Sequence, residues 1–333
     1  MSKNKLNFGI LGCGMIANFH AQAINSLSDA VLYGVADNAF DRAKDFADNY
    51  SIKAYESYAD MLNDENIDAV CICTPSFFHP QNAIDALKAK KHVVLEKPMA
   101  ITTQDAERVI AECENSGKLL TIICQLRFAE DMQKLKQLIK DNAFGKIAFC
   151  DLYMKYWRDP AYYANGGWKG TKKFDGGGAL MNQGIHGVDA LLNLMGDAKL
   201  IKAKTKTHLH NIEVEDLAVA MLEFENGALG VIEASTCVNP GFDRRIEILG
   251  SNGCAILRED RFEKLVINGQ TIIDSTTAND IGTASDPAAM SYRLHALQIN
   301  NLINAVQGKE ELLIDGNEGQ RAVKLIEEIY KQI

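Results

Sequence analysis

The 333-residue sequence predicts an α/β protein. A doubly wound parallel sheet is expected at the N-terminus, then an α+β domain on a large, open, mostly antiparallel sheet. Three observations predict this. Short apolar strands alternate with helical segments as far as about residue 124. Beyond it, strand-like runs follow one another with turn signals between them. A glycine-rich turn joins the first strand to the first helix.

The apolar run Leu6–Leu11 reads as a buried parallel strand, and apolar spacing at Ile16, Phe19, Ala23, Ile24 and Leu27 reads as a helix. Between them stands Gly12-Cys13-Gly14-Met15-Ile16-Ala17. Strand, glycine turn and helix in that order form the dinucleotide-binding fingerprint of a Rossmann domain. Gly12 allows the tight turn and Gly14 lets backbone approach a pyrophosphate. Ala17 permits close helix–strand packing. The N–H groups of Cys13, Met15 and Ile16 lie where the helix dipole favours phosphate. A second strand, Ala30–Ala36, delivers Asp37 to the place where an acidic residue takes a ribose 2′-hydroxyl. Its carboxylate repels a 2′-phosphate, which favours NAD over NADP, although Arg42 stands nearby. The competing role for Asp37 is a helix cap. Strands at Ala69–Cys73, His92–Leu95 and Leu119–Cys124, with helices at 80–90 and 102–116, continue the alternation.

A helix at Glu130–Lys140 precedes the strand-like runs 146–154, 200–208, 217–225, 229–236, 245–249, 254–258 and 264–268. Asn226-Gly227, Asn252-Gly253 and Asn268-Gly269 mark turns. Helices at 292–306 and 317–330 close the chain. The expected division is a dinucleotide-binding domain at 1–124 and a substrate and oligomerisation domain at 125–333. An open sheet must cover its outer face, and a homo-oligomer (dimer or tetramer) packing sheet on sheet would do so.

The net charge of −9 argues against a nucleic-acid or anionic-membrane surface. No apolar run is as long as a spanning helix, and Lys3 and Lys5 lead straight into the first strand without a signal-peptide pattern. A cytoplasmic protein is expected. Cys71, Cys73, Cys124 and Cys150 lie in apolar runs as small hydrophobes, and no Cys-x-x-Cys pair occurs. His208-Leu-His210 lacks a third ligand and reads as polar side chains on a strand, so no metal is expected.

Ligands of doubly wound folds bind beyond the carboxyl ends of the strands. Thr74-Pro75-Ser76-Phe77-Phe78-His79 and Glu96-Lys97-Pro98 leave two such strands, and Gln125 leaves the last. Thr74, Pro75, Ser76, His79, Glu96, Lys97 and Gln125 are therefore expected at the cofactor. Lys97 there can donate to a substrate oxygen and relay a proton. The stretch Phe174-Asp175-Gly176-Gly177-Gly178-Ala179-Leu180-Met181-Asn182-Gln183-Gly184-Ile185-His186-Gly187-Val188-Asp189 leads glycines into a helix expected over 179–195. Its spacing puts Asn182 and His186 on one face, with Asp189 placed to orient the His186 ring. Arg127, at the domain junction, is a candidate for cofactor or substrate, or for an interdomain ion pair. Lys169, Lys172 and Lys173 form a basic cluster, either a solvated face or a contact for a nucleotide-sugar phosphate.

The glycine turn, the Thr74-Pro75…His79 loop, Glu96-Lys97-Pro98 and GGGALMNQGIHGVD, in this order, resemble the glucose–fructose oxidoreductase / inositol dehydrogenase (Gfo/Idh/MocA) family across both domains. The resemblance implies hydride transfer between a nicotinamide and a carbinol of a sugar, polyol or inositol. It implies that Lys97 contacts substrate and cofactor and that His186 removes the hydroxyl proton. Tyr153, Lys155, Arg158 and Trp168 fall in the segment with which family members often line the sugar pocket. Many polyol dehydrogenases of the family carry Asp where Asn182 stands. Asn resembles the branch oxidising the 3-hydroxyl of nucleotide-linked N-acetylated sugars. Two further readings are an NAD-dependent glycosidase and a nucleotide-sensing regulator without activity.

Overall fold

The computed structural model describes residues 5–164, 167–275 and 291–332. Its elements run in chain order as β1 (Leu6–Leu11), α1 (Met15–Asn25), β2 (Ala30–Ala36), α2 (Phe40–Tyr50), β3 (Lys53–Tyr55), α3 (Tyr58–Asn63), β4 (Ala69–Ile72), α4 (His79–Lys88), β5 (His92–Leu95), α5 (Thr103–Ser116) and β6 (Leu120–Ile122). There follow α6 (Glu130–Lys140), β7 (Ile147–Lys155), α7 (Pro160–Ala164), α8 (Ile185–Met195), β8 (Ala198–Lys206), β9 (Leu217–Phe224), β10 (Leu229–Ser235), β11 (Arg245–Gly250), β12 (Gly253–Arg258), β13 (Arg261–Ile267), β14 (Gln270–Asp274), α9 (Arg293–Val306) and α10 (Gly316–Lys331). The chain forms two compact units, Met1–Gln125 with Met290–Gln320, and Leu126–Ala289 with Arg321–Ile333.

The first unit is a six-stranded sheet in the order β3-β2-β1-β4-β5-β6, parallel in every pairing. The order reverses between β1 and β4, the crevice where doubly wound folds bind ligands. Its helices start where the sequence provides caps. Ser57 and Thr102 accept from the Asp60 and Asp105 N–H groups at the starts of α3 and α5. Helix α9 returns to this unit late in the chain. Ala296, Ile299, Leu302 and Ile303 join the core of β1, β2 and α1. An apolar stripe at i, i+3, i+6 and i+7 on a helix needs such a partner, and the first sheet supplies it.

The second unit is an eight-stranded sheet, β14-β13-β12-β11-β7-β10-β9-β8, antiparallel except where β10 pairs with β7. Period-two burial is plain in β9, where Ala218, Ala220, Leu222 and Phe224 are buried and Val219, Met221 and Glu223 exposed. The buried face carries α8, with Gly187 seated on Leu152 and Met154 of β7. All eight cysteines are free, and Cys71, Cys73, Cys124 and Cys150 are buried as expected. His208 and His210 lie beyond the end of β8 rather than on its face. Three successive N–H groups there, from His208, Leu209 and His210, donate to the Asp216 carboxylate. Among the described residues no helix is long and apolar enough to cross a membrane.

The expected single helix over 179–195 is two segments: a π-helical stretch, Ala179–Gly184, then α8. The glycines before it are pressed against their neighbours. A Cβ on Gly178 would lie 2.0 Å from the Glu215 carbonyl oxygen, and one on Gly177 would lie 2.2 Å from the Tyr330 hydroxyl. A Gly178→Ala variant is therefore expected to lose about 1–3 kcal/mol of stability. A denaturant midpoint equal to that of the parent chain would overturn this.

Candidate active site

In the first unit, Gly12 has φ +95°, and a Cβ there would come 2.8 Å from the Cys73 carbonyl oxygen, so glycine is required by both conformation and space. Gly14, by contrast, faces nothing within 4 Å. It is the N-cap of α1 and supplies no side-chain bond to the helix start, while Met15 is exposed and Ile16 half-buried. The N–H groups at the start of α1 thus face open space, the arrangement that receives a pyrophosphate.

Asp37 braces this turn. One carboxylate oxygen accepts the Cys13 N–H at 2.8 Å, and the other accepts the Ala39 N–H at 2.9 Å and Arg42 Nη2 at 2.6 Å. Burial raises the Asp37 pKa, but these donors outweigh it and hold the carboxyl below its usual range. Arg42 is committed to Asp37 and to Asn38 Oδ1. Asp37 thus stays ionised, paired with Arg42, where the fingerprint places the ribose.

At the end of β5, Glu96 is 5 % exposed. Its Oε1 accepts His20 Nε2–H of α1 at 2.8 Å, with His295 Nε2 of α9 at 3.6 Å, and its Oε2 accepts the Lys97 N–H at 3.2 Å. Burial opposes the charge, yet the two imidazoles keep the carboxyl well below its usual range. The trio has the composition of a metal site. However, the Nδ1 atoms of both histidines are buried without partners among the described residues, whereas metal-bound imidazoles donate that N–H to an acceptor. The arrangement is a hydrogen-bonded anchor beneath Lys97. His79 is 1 % exposed and bonds only backbone carbonyls, at Pro98 and Thr74. Glu96 and His79, expected at the cofactor, thus brace the loops from behind. Thr74, Pro75 and Lys97 are half-buried and Ser76 is buried. The Gln125 Oε1 is buried with no partner among the described residues, a vacant acceptor at the end of β6. Open space before Gly14, a braced Asp37 and this acceptor fit a dinucleotide.

In the second unit, every residue from Ala179 to Met195 is buried except Asn182, Gln183 and His186. The helical segment therefore presents one open face, made of these three side chains. Asn182 and Gln183 are fixed from behind, and Glu215 holds the backbone that leads into them. Asp175, 1 % exposed, accepts Asn182 Nδ2 at 2.7 Å and the Gly170 N–H at 2.8 Å. Gln183 accepts Arg158 Nη2 at 2.7 Å and donates to the Tyr162 hydroxyl at 2.8 Å. Glu215 accepts the Gly178 and Leu180 N–H groups and the Tyr330 hydroxyl. Burial raises the Glu215 carboxyl above its usual range against these donors. Lys169 sits over the Tyr162 ring at 3.8 Å. Burial lowers its pKa, while Asp175 opposes the shift.

Several of the expected site residues have other partners in the fold. Asp189 is taken bidentately by Arg127, at 2.9 and 2.6 Å, with both side chains buried. Arg127 therefore anchors α8 within the second unit. Tyr153 and Lys155 alternate with Leu152 and Met154 along β7, so they lie on the face away from α8. There Lys155 pairs with Glu233 at 2.6 Å. Arg158 is built into the frame through Gln183 and the Trp157 carbonyl. Trp168 is half-buried, its carbonyl accepting the Thr171 hydroxyl. Burial periodicity in β7 is the signal that would have separated Tyr153 and Lys155 from the open face.

Comparison with known proteins adds the lineage. Residues 6–123 match the oxidoreductase family with an NAD-binding Rossmann fold, and residues 132–256 match the Gfo/Idh/MocA C-terminal domain. The chain is 31 % identical over 258 residues to myo-inositol 2-dehydrogenase of Thermotoga maritima, covering 74 % of each chain. It is 25 % identical over 355 residues to D-glucoside 3-dehydrogenase of Escherichia coli, covering 99 % of this chain and 96 % of that one. The WlbA dehydrogenase of Bordetella pertussis, solved in complex with NADH and UDP-GlcNAcA, superposes with a TM-score of 0.89 at 31 % identity, covering 100 % of this chain and 96 % of that one. The chain belongs to the Gfo/Idh/MocA oxidoreductases, and its first domain is that family's NAD-binding Rossmann fold.

Proposed function

We propose that the protein oxidises a ring carbinol of a nucleotide-linked N-acetylated sugar at the expense of NAD. The observation that carries this reading is the likeness over the whole chain to an enzyme solved with NADH and UDP-GlcNAcA. Bound NAD supplies the hydride acceptor. In this reading His186, on the open face of the helical segment, accepts the hydroxyl proton, and Lys97 donates to the oxygen as it gains charge. Asn182 bonds a sugar hydroxyl with its orientation set by Asp175. Lys169 on the Tyr162 ring, beside Arg158, offers positive charge to an anionic substrate.

A second reading, inositol oxidation, draws on the likeness to myo-inositol 2-dehydrogenase. Asn182 in place of the Asp common among polyol dehydrogenases favours the first. We further propose that a second copy of the chain covers the outer face of the eight-stranded sheet. Exposed Leu229 pairs there with exposed Phe149, and Val231 with exposed Met221, an apolar band across β7, β10 and β9.

A panel of UDP-sugars, free sugars and inositols with NAD and NADP, followed by nicotinamide absorbance, tests the substrate class. The expected result is turnover with an N-acetylated UDP-sugar and NAD. Turnover with inositols alone would favour the second reading. The spectrum of the purified protein is checked first, because a retained cofactor would mask the signal. His186→Ala is expected to lower kcat about 10²–10⁴-fold with NAD affinity unchanged, and undiminished turnover would remove His186 from the mechanism. Met221→Asp is expected to yield a smaller species in sedimentation, and an unaltered mass would exclude this face as the interface.

A further inference from the structure

A helix leaves its first four N–H groups without a partner of its own, and the helical segment that carries the open face starts at Gly178. Here all four are taken from outside the segment. The Gly178 N–H donates to Glu215 Oε2 at 3.0 Å, and the Leu180 N–H donates to Glu215 Oε1 at 2.8 Å. The Ala179 N–H donates to the Glu215 carbonyl oxygen at 3.0 Å. The Met181 N–H donates to the Tyr330 hydroxyl at 3.2 Å. Tyr330 lies near the end of α10, 149 residues further along the chain.

The next bonds decide the register. The Gly178 carbonyl oxygen accepts the Asn182 N–H at 3.3 Å, four residues on as in an α-helix. It also accepts the Gln183 N–H at 3.2 Å, five residues on as in a π-helix. One acceptor thus serves both registers, immediately after the bond from Met181 to Tyr330. The Tyr330 hydroxyl donates its single hydrogen to Glu215 Oε1 at 2.7 Å, which leaves its lone pairs for the Met181 N–H. Burial and the Glu215 charge push the phenol well above its usual range, so the hydroxyl keeps that hydrogen. The fit is close, since a Cβ on Gly177 would lie 2.2 Å from the hydroxyl.

We propose that Tyr330 is a positioning residue for the open face: its hydroxyl, through Met181 and Glu215, holds the π register and so aims Asn182 at the sugar. Successive residues of a helix point about 100° apart. A change of register at the Gly178 carbonyl would therefore turn Asn182 by a large part of that angle. It would also draw the Asn182 amide away from Asp175, the carboxylate that orients it. Met181 stands directly before Asn182, so the Tyr330 bond is the last external hold on the backbone ahead of the switch. The inference rests on the reading of Asn182 as a sugar contact.

The test is Tyr330→Phe in the full chain, which removes one oxygen and keeps the ring. The Asn182 side-chain amide is followed by ¹⁵N NMR, its signals identified by their absence in Asn182→Ala. They are expected to shift in Tyr330→Phe, and unmoved signals would overturn the proposal. With the sugar that the substrate panel identifies, KM is expected to rise about tenfold while NADH affinity stays unchanged. In an Asn182→Ala background the same substitution is expected to cost nothing further, because the group it acts through is gone. Losses that simply add would mean a structural role alone and would also overturn the proposal. Should Tyr330→Phe not fold, amide exchange in the wild type decides. Slow exchange is expected of the bonded Met181 N–H, and exchange as fast as that of an open amide removes the bond on which the proposal stands. A wild type that oxidises no sugar would refute the substrate reading, while the Asn182 signals and the Met181 exchange would still decide whether Tyr330 sets the register.

Discussion

A carboxylate taken into a protein interior survives only if donors replace the water it has lost. Glu96 meets that requirement with two of them, from α1 and the Lys97 backbone, and with the His295 ring of α9 nearby at 3.6 Å. The first unit is organised around this one charge. The helix whose N-terminus follows the glycine turn, the helix that returns from the far end of the chain, and the loop that carries Lys97 all converge on it. Removing the charge would leave the His20 imidazole and the Lys97 N–H without an acceptor, so the bonds are held together as a set.

The second unit solves the same problem twice. Asp175 takes the Asn182 amide and the Gly170 N–H, and Glu215 takes two N–H groups of the glycine-rich approach together with the Tyr330 hydroxyl from α10. Both carboxyls lie behind the open face and bond the π-helical stretch from its buried side. A π-turn shifts the register between Asn182 and His186, and π-bulges of this kind recur at functional sites. Here the glycines let the backbone come within contact of Glu215 and Tyr330, and that closeness holds the irregular turn in place.

The local grammar of both domains was legible in the residues. The period of two in β9, the capped start of α5 and the glycine fingerprint are local patterns, and the elements formed where the patterns stood. Three features were not legible. The short strands β3 and β14 are only three and five residues long, too brief for a period to declare itself. Tyr153 and Lys155 carry the residue types of a sugar pocket, but the face of β7 on which they stand depends on what packs beneath Leu152 and Met154. Asp189 was three residues beyond His186, as an orienting carboxylate would be, yet a buried guanidinium from α6's N-terminal approach claimed it.

By itself, then, the sequence determined the doubly wound sheet, the dinucleotide turn with Asp37 as its acidic partner, and the helical face carrying Asn182 and His186. These follow from steric and hydrogen-bonding rules that act within a few residues. Only the tertiary structure decided that α9 belongs with α1, that Glu96 and His79 brace the loops from behind, and that Asp175 and Glu215 hold the glycine-rich segment. Those partners lie from five to 275 residues apart in the chain, as with His79 and Thr74 and with His20 and His295, and no local pattern links them. What selects them is the cost of leaving a buried charge or a buried donor unpaired, and that cost exists only once the chain has folded.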